Sequence, residues 1–266
     1  MSSKESTGKT LFVAFCLCVV CSIVVSATAV VLKPLQDANK ELDRNKNILQ
    51  AAGLFDEDVN DDDDVMELFQ SFTPRVVSLE EGRLLNVEEL AGLQIDTQSY
   101  DQRLLINDVD FSEELERSVD IANIKRRVIY PMIYTVEDGD DLETIVVPIN
   151  GYGLWGIIYG FLALEGDANT VKGLSFYELK ETPGLGAEVR NPSWIALWPG
   201  KKVYDEQGEV GLRVVKGQGS GDFQVDGLAG ATLTSKGVDN LVRYWLGEDG
   251  YGPLLAALRD NQQGGF

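Results

Sequence analysis

The stretch Asp226-Gly227-Leu228-Ala229-Gly230-Ala231-Thr232-Leu233-Thr234-Ser235 decides how this chain is read, because small residues, hydroxyls and the start of a helix meet there. Glycines at 227 and 230 let the backbone approach a bulky ligand and reach left-handed conformations. Val238, Leu241, Val242, Trp245 and Leu246 then recur at the three-and-four spacing of one helix face, with Gly247 where a C-terminal cap belongs. Thr234 or Ser235 is the expected N-cap. The unpaired N–H groups and positive dipole end of such a helix favour an anion, so a phosphoryl group near Thr232 would need no basic side chain. An ordinary capped helix after a glycine turn has the same spacing.

Working outward, the sequence upstream is rich in short strands. Met132 to Val136 and Glu143 to Ile149 read as a hairpin around Asp138-Gly139-Asp140-Asp141. Leu154 to Leu164 is an almost wholly apolar, β-rich run, and Val171 to Leu179 follows across the Gly166-Asp167 turn. A second hairpin is expected from Lys201 to Tyr204 and Val210 to Val215 around Gln207-Gly208. Met66 to Phe72 reads as helix, Arg75 to Leu79 as extended, Val87 to Gly92 as a short helix, and Ser112 to Arg127 as a mixed helical pattern. Short strands separated by turns, with helices gathered at the ends, give an α+β domain with an antiparallel sheet and flanking helices.

Further outward, Leu11 to Leu32 is free of charge and long enough to cross a bilayer, which needs about 20 apolar residues against about 7–15 for a signal-peptide core. Ala27-Thr28-Ala29 offers a cleavage triplet, but the length favours a retained transmembrane helix. The expected organisation is a short N-terminus over 1–10, the span over 11–32, a juxtamembrane helix and acidic region over 33–127, and the main domain over 128–266. Asp37 to Ala52 reads as a separate helix stopped by Gly53. Lys4 and Lys9 precede the span and Lys33, Lys40, Arg44 and Lys46 follow it, so charge alone would put the domain in the cytoplasm, although long domains translocate largely regardless of flanking charge.

Composition removes whole classes of chemistry. The 266 residues contain no histidine, which excludes Ser-His and Cys-His nucleophiles and His-liganded metals. The cysteines, Cys16, Cys18 and Cys21, all lie in the apolar run, so the rest of the chain has no thiol for a disulfide or an iron–sulfur cluster. A redox role therefore needs an organic cofactor. With 43 acidic against 23 basic residues the formal charge is −20, which argues against nucleic acid as a partner. Counting a calcium loop from Asp58 puts Asp63 in the glycine slot and Phe69 in the closing glutamate slot, so Asp56 to Asp64 reads as a solvated acidic loop. Gly184-x-Gly186 lacks the third glycine and the preceding strand of a dinucleotide fingerprint. Trp155 reads either as a core aromatic or as a stacking plate for a ring. Gly217 to Gly221 reads as a flexible loop.

Resemblance narrows these readings. Asp226-x-x-Ala229-Gly230-Ala231-Thr232 resembles the flavinylation motif Asp-x-x-(Ser/Thr)-Gly-Ala-Thr, whose last threonine is esterified to the phosphate of FMN. Glu181-Thr182-Pro183-Gly184-Leu185-Gly186 is similar to a segment of the same flavin domain. Gly151-Tyr152-Gly153-Leu154-Trp155, Tyr159 to Leu164, Leu32 to Gln36 and Asn47 to Leu49 resemble the family of C subunits of sodium-translocating NADH:quinone reductases. The resemblance implies covalent FMN on Thr232, with Gly230, Ala231, Thr234, Leu154, Trp155, Glu181, Thr182, Leu185, Gly186 and Lys216 around it. It also implies an electron-carrying subunit that is not catalytic alone, beside other subunits of a membrane redox complex and a flavin transferase. The expected placement is a bacterial inner membrane, crossed once, with the large domain on the periplasmic side. Ala229 departs from the motif hydroxyl, and Leu179 stands where a histidine is typical. The alternatives are the homologous flavin subunit of a ferredoxin-linked complex, or a non-redox extracytoplasmic module in which the Thr232 loop is only a helix cap.

Overall fold

The structure, a computed structural model, describes residues 7–56, 59–139 and 141–262. Four expectations touch positions outside these: part of the N-terminal segment (1–6), Glu57 and Asp58 of the acidic loop, Asp140 of the hairpin turn, and the end of the main domain (263–266). The chain divides into two compact units, Met1–Asp43 and Arg44–Phe266.

The first unit consists of most of α1 (Thr7–Ala51), a 45-residue helix. It carries an 18-residue window of mean hydropathy 2.7, none of it buried, and is long and apolar enough to cross a membrane. Two separate helices were expected here, but one continuous helix runs through Pro34, which removes one backbone donor without ending it.

The second unit begins with the last turns of α1, where Ile48, Leu49 and Ala51 are fully buried. There Asn47 accepts a hydrogen bond from the Ser175 hydroxyl at 2.6 Å. Next come α2 (Asp64–Phe69), β1 (Thr73–Ser78), β2 (Arg83–Leu84) and α3 (Val87–Gly92). The α3 helix opens on a complete capping box between Asn86 and Glu89, the local reason its bounds are legible in sequence. The helix expected over Ser112 to Arg127 is absent. Instead β3 (Ser112–Glu114) pairs antiparallel with β4 (Arg126–Val128). The Asp120 carboxylate takes the N–H groups of Ile124 and Lys125 at 2.9 and 2.7 Å, and Asn123 and Lys125 adopt positive φ, so the segment closes as a loop.

The sheet continues with β5 (Met132–Asp138), β6 (Asp141–Tyr152), β7 (Ile157–Glu165) and β8 (Val171–Glu178). Six strands run antiparallel in the order β2-β1-β5-β6-β7-β8. After the short α4 (Pro192–Ile195), the second expected hairpin shrinks to a bridge between Tyr204 and Val210. The Asn169 side chain claims the N–H groups of Val203 and Tyr204, and β9 (Arg213–Val215) instead pairs in parallel with β10 (Gln224–Asp226). Last come α5 (Thr232–Leu246) and α6 (Gly252–Gln262).

The apolar stripe of α5 is what the sheet is packed around. Val238, Leu241, Val242, Trp245 and Leu246 are all buried, and the Trp245 indole donates to the Asn150 carbonyl at 2.7 Å. Leu241 lies so close to Gly151 that a side chain at 151 would collide with it. The helix therefore rests on the backbone of β6, which fixes its N-terminus beside the turn that leaves this strand.

Candidate functional site

The site is built where α5 begins. The N-cap is Ala231, whose side chain offers no acceptor, and Thr232 is the first helical residue. Neither Thr234 nor Ser235 caps the helix, as was expected of them. Both hydroxyls are turned inward: Thr234 is fully buried and donates to Oε2 of Glu181 at 2.6 Å. The Ser235 hydroxyl donates to the Ala231 carbonyl at 3.0 Å and accepts the N–H of Leu228 at 2.9 Å. Thr232 alone of the three is exposed. The leading N–H groups of a helix have no partner within it, so this end presents donors and a positive dipole beside a free hydroxyl.

The loop feeding this end is held from both sides. Gly230 sits at φ +79°, a left-handed conformation that glycine adopts at no steric cost. The Asp226 carboxylate accepts the Gly219 N–H at 2.8 Å, its carbonyl accepts the Trp194 indole N–H at 2.7 Å, and the Gly227 N–H reaches the Gly217 carbonyl at 3.2 Å. The Gly217 loop is thus tied to the motif loop, and exposed Lys216 stands at its base. Deeper in α5, Asp239 binds the Arg213 guanidinium through both oxygens, at 2.9 and 3.0 Å, and takes the Val214 N–H at 2.9 Å.

Across from the helix end, Glu181 joins two further segments. Its Oε1 accepts the N–H groups of Leu154 and Trp155 at 2.9 and 3.0 Å, although the residue is only 6% exposed. Leu154 and Trp155 therefore form the turn between β6 and β7, with their side chains outward. Trp155 is 63% exposed and so lies outside the core. Thr182 begins a tight loop, its carbonyl accepting from Leu185 and Ala187, both at 3.1 Å. Leu185 is exposed at the end of that loop and reaches Gly230, where a Cβ would stand 3.4 Å from its Cδ2. Gly186 is buried against Glu181 and Thr234. Leu179 packs partly against the core, and Ala229 faces solvent.

The sequence profile of the FMN-binding domain matches residues 153–247, the interval that holds these segments. The C subunit of the Na(+)-translocating NADH-quinone reductase of Pseudomonas aeruginosa is 46% identical over 268 residues, covering 98% of this chain and all of that protein. The chain belongs to the family of Na(+)-translocating NADH-quinone reductase C subunits. The Vibrio anguillarum member is 42% identical, covering 97% of this chain and 98% of its own. The crystal structure of Shewanella oneidensis NqrC superposes with a TM-score of 0.72 at 32% identity, over 84% of this chain and 99% of that one, so the two share a fold.

Within this family fold, Gly230, Ala231, Thr232, Thr234, Glu181, Leu185, Gly186, Leu154 and Trp155 are brought together. Lys216 stands at the edge of the cluster, on the adjoining loop. The Arg213–Asp239 pair escaped the sequence reading. The signal for it was an acidic residue beside the apolar stripe of α5, facing a strand that begins with arginine.

Proposed function

We propose that the chain is the membrane-anchored flavoprotein subunit of a sodium-pumping NADH:quinone oxidoreductase, with FMN joined through its phosphate to Thr232. It serves as an electron carrier between other redox centres and does not oxidise NADH alone. The observation that carries this reading is the partition of hydroxyls at the head of α5: Thr234 and Ser235 are buried and bonded, whereas Thr232 is exposed at the unpaired helix end. A phosphoester there is stabilised by the free N–H groups and the dipole.

The residues fit the rest of the cofactor. Leu154, Trp155 and Leu185 offer exposed apolar and aromatic surface around the helix end, suited to a flat ring, while Lys216 brings a positive charge to its edge. When bound, the flavin supplies the electron-transfer chemistry, and the protein's task is to hold, orient and tune it. No acid–base side chain is required of this chain. Ala229 supplies no phosphoester oxygen, so its missing hydroxyl leaves the acceptor in place.

Residues 11–32 form the span, 33–127 the rest of that helix, the acidic stretch and the strands β1 and β2 that join the sheet, and 128–266 the remainder of the flavin domain, on the periplasmic side of a bacterial inner membrane. Hydropathy supports the span. The sidedness rests on family resemblance and runs against the flanking lysines. A flavin transferase is the partner that attaches FMN. The test is to produce the chain with and without that transferase and examine it after denaturation. Yellow fluorescence that co-migrates with the chain only when the transferase is present is the expected result. A colourless chain under both conditions would leave a non-redox module.

A further inference from the structure

The geometry points to Glu181 as a positioning residue: it locks the Leu154–Trp155 turn and the first turn of α5 into one frame, and acts on the flavin through them rather than by contact. This inference rests on the proposed flavin site. A carboxylate has two oxygens and about four acceptor positions. Three are taken by the protein's own donors, the N–H groups of Leu154 and Trp155 on Oε1 and the Thr234 hydroxyl on Oε2.

The space around the carboxylate is closed as well. A Cβ on Gly153 would stand 2.5 Å from Oε1, and one on Gly186 would collide with Oε2 and lie 2.6 Å from the Thr234 hydroxyl. The glycines on either side thus make room for the carboxylate. Three segments distant in sequence, the β6–β7 turn, the loop after β8 and the head of α5, meet on this one group. Hydrogen bonds to a carboxylate are among the stronger ones in proteins, and removing it leaves three donors facing a buried void. The exposed residues proposed to receive the ring, Leu154 and Trp155, are then no longer fixed relative to Thr232.

The test uses the full chain in Glu181→Ala, Glu181→Gln and Thr234→Val forms, with two readouts. Covalent flavin per chain is measured after production with the transferase, and amide hydrogen exchange at Leu154 and Trp155 after production without it. Glu181→Ala is expected to speed exchange at both amides about tenfold or more and to lower covalent flavin by a similar factor. Glu181→Gln is expected to restore both to within about twofold, because the amide oxygen still accepts the two N–H groups and the NH₂ donates to the Thr234 oxygen. Thr234→Val is expected to keep the amides protected while lowering flavin roughly threefold to tenfold, since it cuts only the link to the helix. Unchanged exchange and flavin content in Glu181→Ala would overturn the proposal, as would a glutamine variant as defective as the alanine one. Should Glu181→Ala fail to accumulate, undiminished flavin in Thr234→Val would overturn it. The attachment reading fails separately, through flavin that survives in Thr232→Val, and that result leaves the amide-exchange test of Glu181 intact.

Discussion

The Thr234 hydroxyl donates a hydrogen bond to Glu181 at 2.6 Å in a fully buried setting, and this removes it from competition with Thr232 for a phosphoryl group. Ser235, one residue on, is committed in the same way to Leu228 and Ala231. Ser235→Ala is therefore expected to cost about 1–2 kcal/mol of stability, from the unpaired Leu228 N–H, while covalent flavin stays at its unmutated level. Denaturant unfolding and in-gel fluorescence measure the two effects.

Trp155 lies outside the core, so its removal separates cofactor contact from folding. Trp155→Ala is expected to change folding stability by no more than about 0.5 kcal/mol. The attached flavin, freed from an adjacent indole, becomes more fluorescent in the native protein. Unfolding curves together with native-state emission test this. A destabilised variant with unchanged emission would return Trp155 to a structural role.

Asp239 anchors α5 to β9 through the Arg213 guanidinium and the Val214 N–H, with 8% of the Asp239 side chain exposed against 46% of the arginine. Because the arginine is largely solvated, the loss on Asp239→Ala falls below the roughly 3–5 kcal/mol of a fully buried broken pair, at about 2 kcal/mol. Chemical denaturation reads it directly.

How much of this was legible beforehand depended on where each residue finds its partner. The hairpin of β5 and β6, the α3 helix and the α5 stripe show in sequence because alternation, a capping box and a 3.6-residue period are local signals. The segment from Ser112 to Arg127 misled because its apolar spacing imitates a helix, while the Asp120 side chain diverts two backbone N–H groups into a loop. The parallel pairing of β9 with β10, and the inward turn of Thr234, depend on Asp239 and Glu181, partners that no local pattern announces. The hydroxyls near Thr232 could be seen in sequence, but their division into bonded and free could not.

Burial pushes the phenols of Tyr177 and Tyr204 up to about 12. Between the unfolded tyrosine value near 10 and about 12, the folded chain holds these protons while the unfolded chain has released them. Stability is therefore expected to be fully present below pH 10 and to fall as pH rises from about 10 to about 12. Absorbance near 295 nm should show Tyr177 and Tyr204 ionising late, together with Tyr100, Tyr244 and Tyr251, whose phenols burial also pushes up, in step with a declining unfolding midpoint.

The central claim is that Thr232 carries the flavin, and peptide mapping by mass spectrometry tests it most directly. The chain, produced with its transferase and digested, should yield one fluorescent peptide whose fragments place the FMN mass on Thr232. The same digest of Thr232→Val should contain none, although the chain still folds and reaches the membrane. A flavin mass on Thr234 or Ser235, or fluorescence persisting in Thr232→Val, would contradict the account.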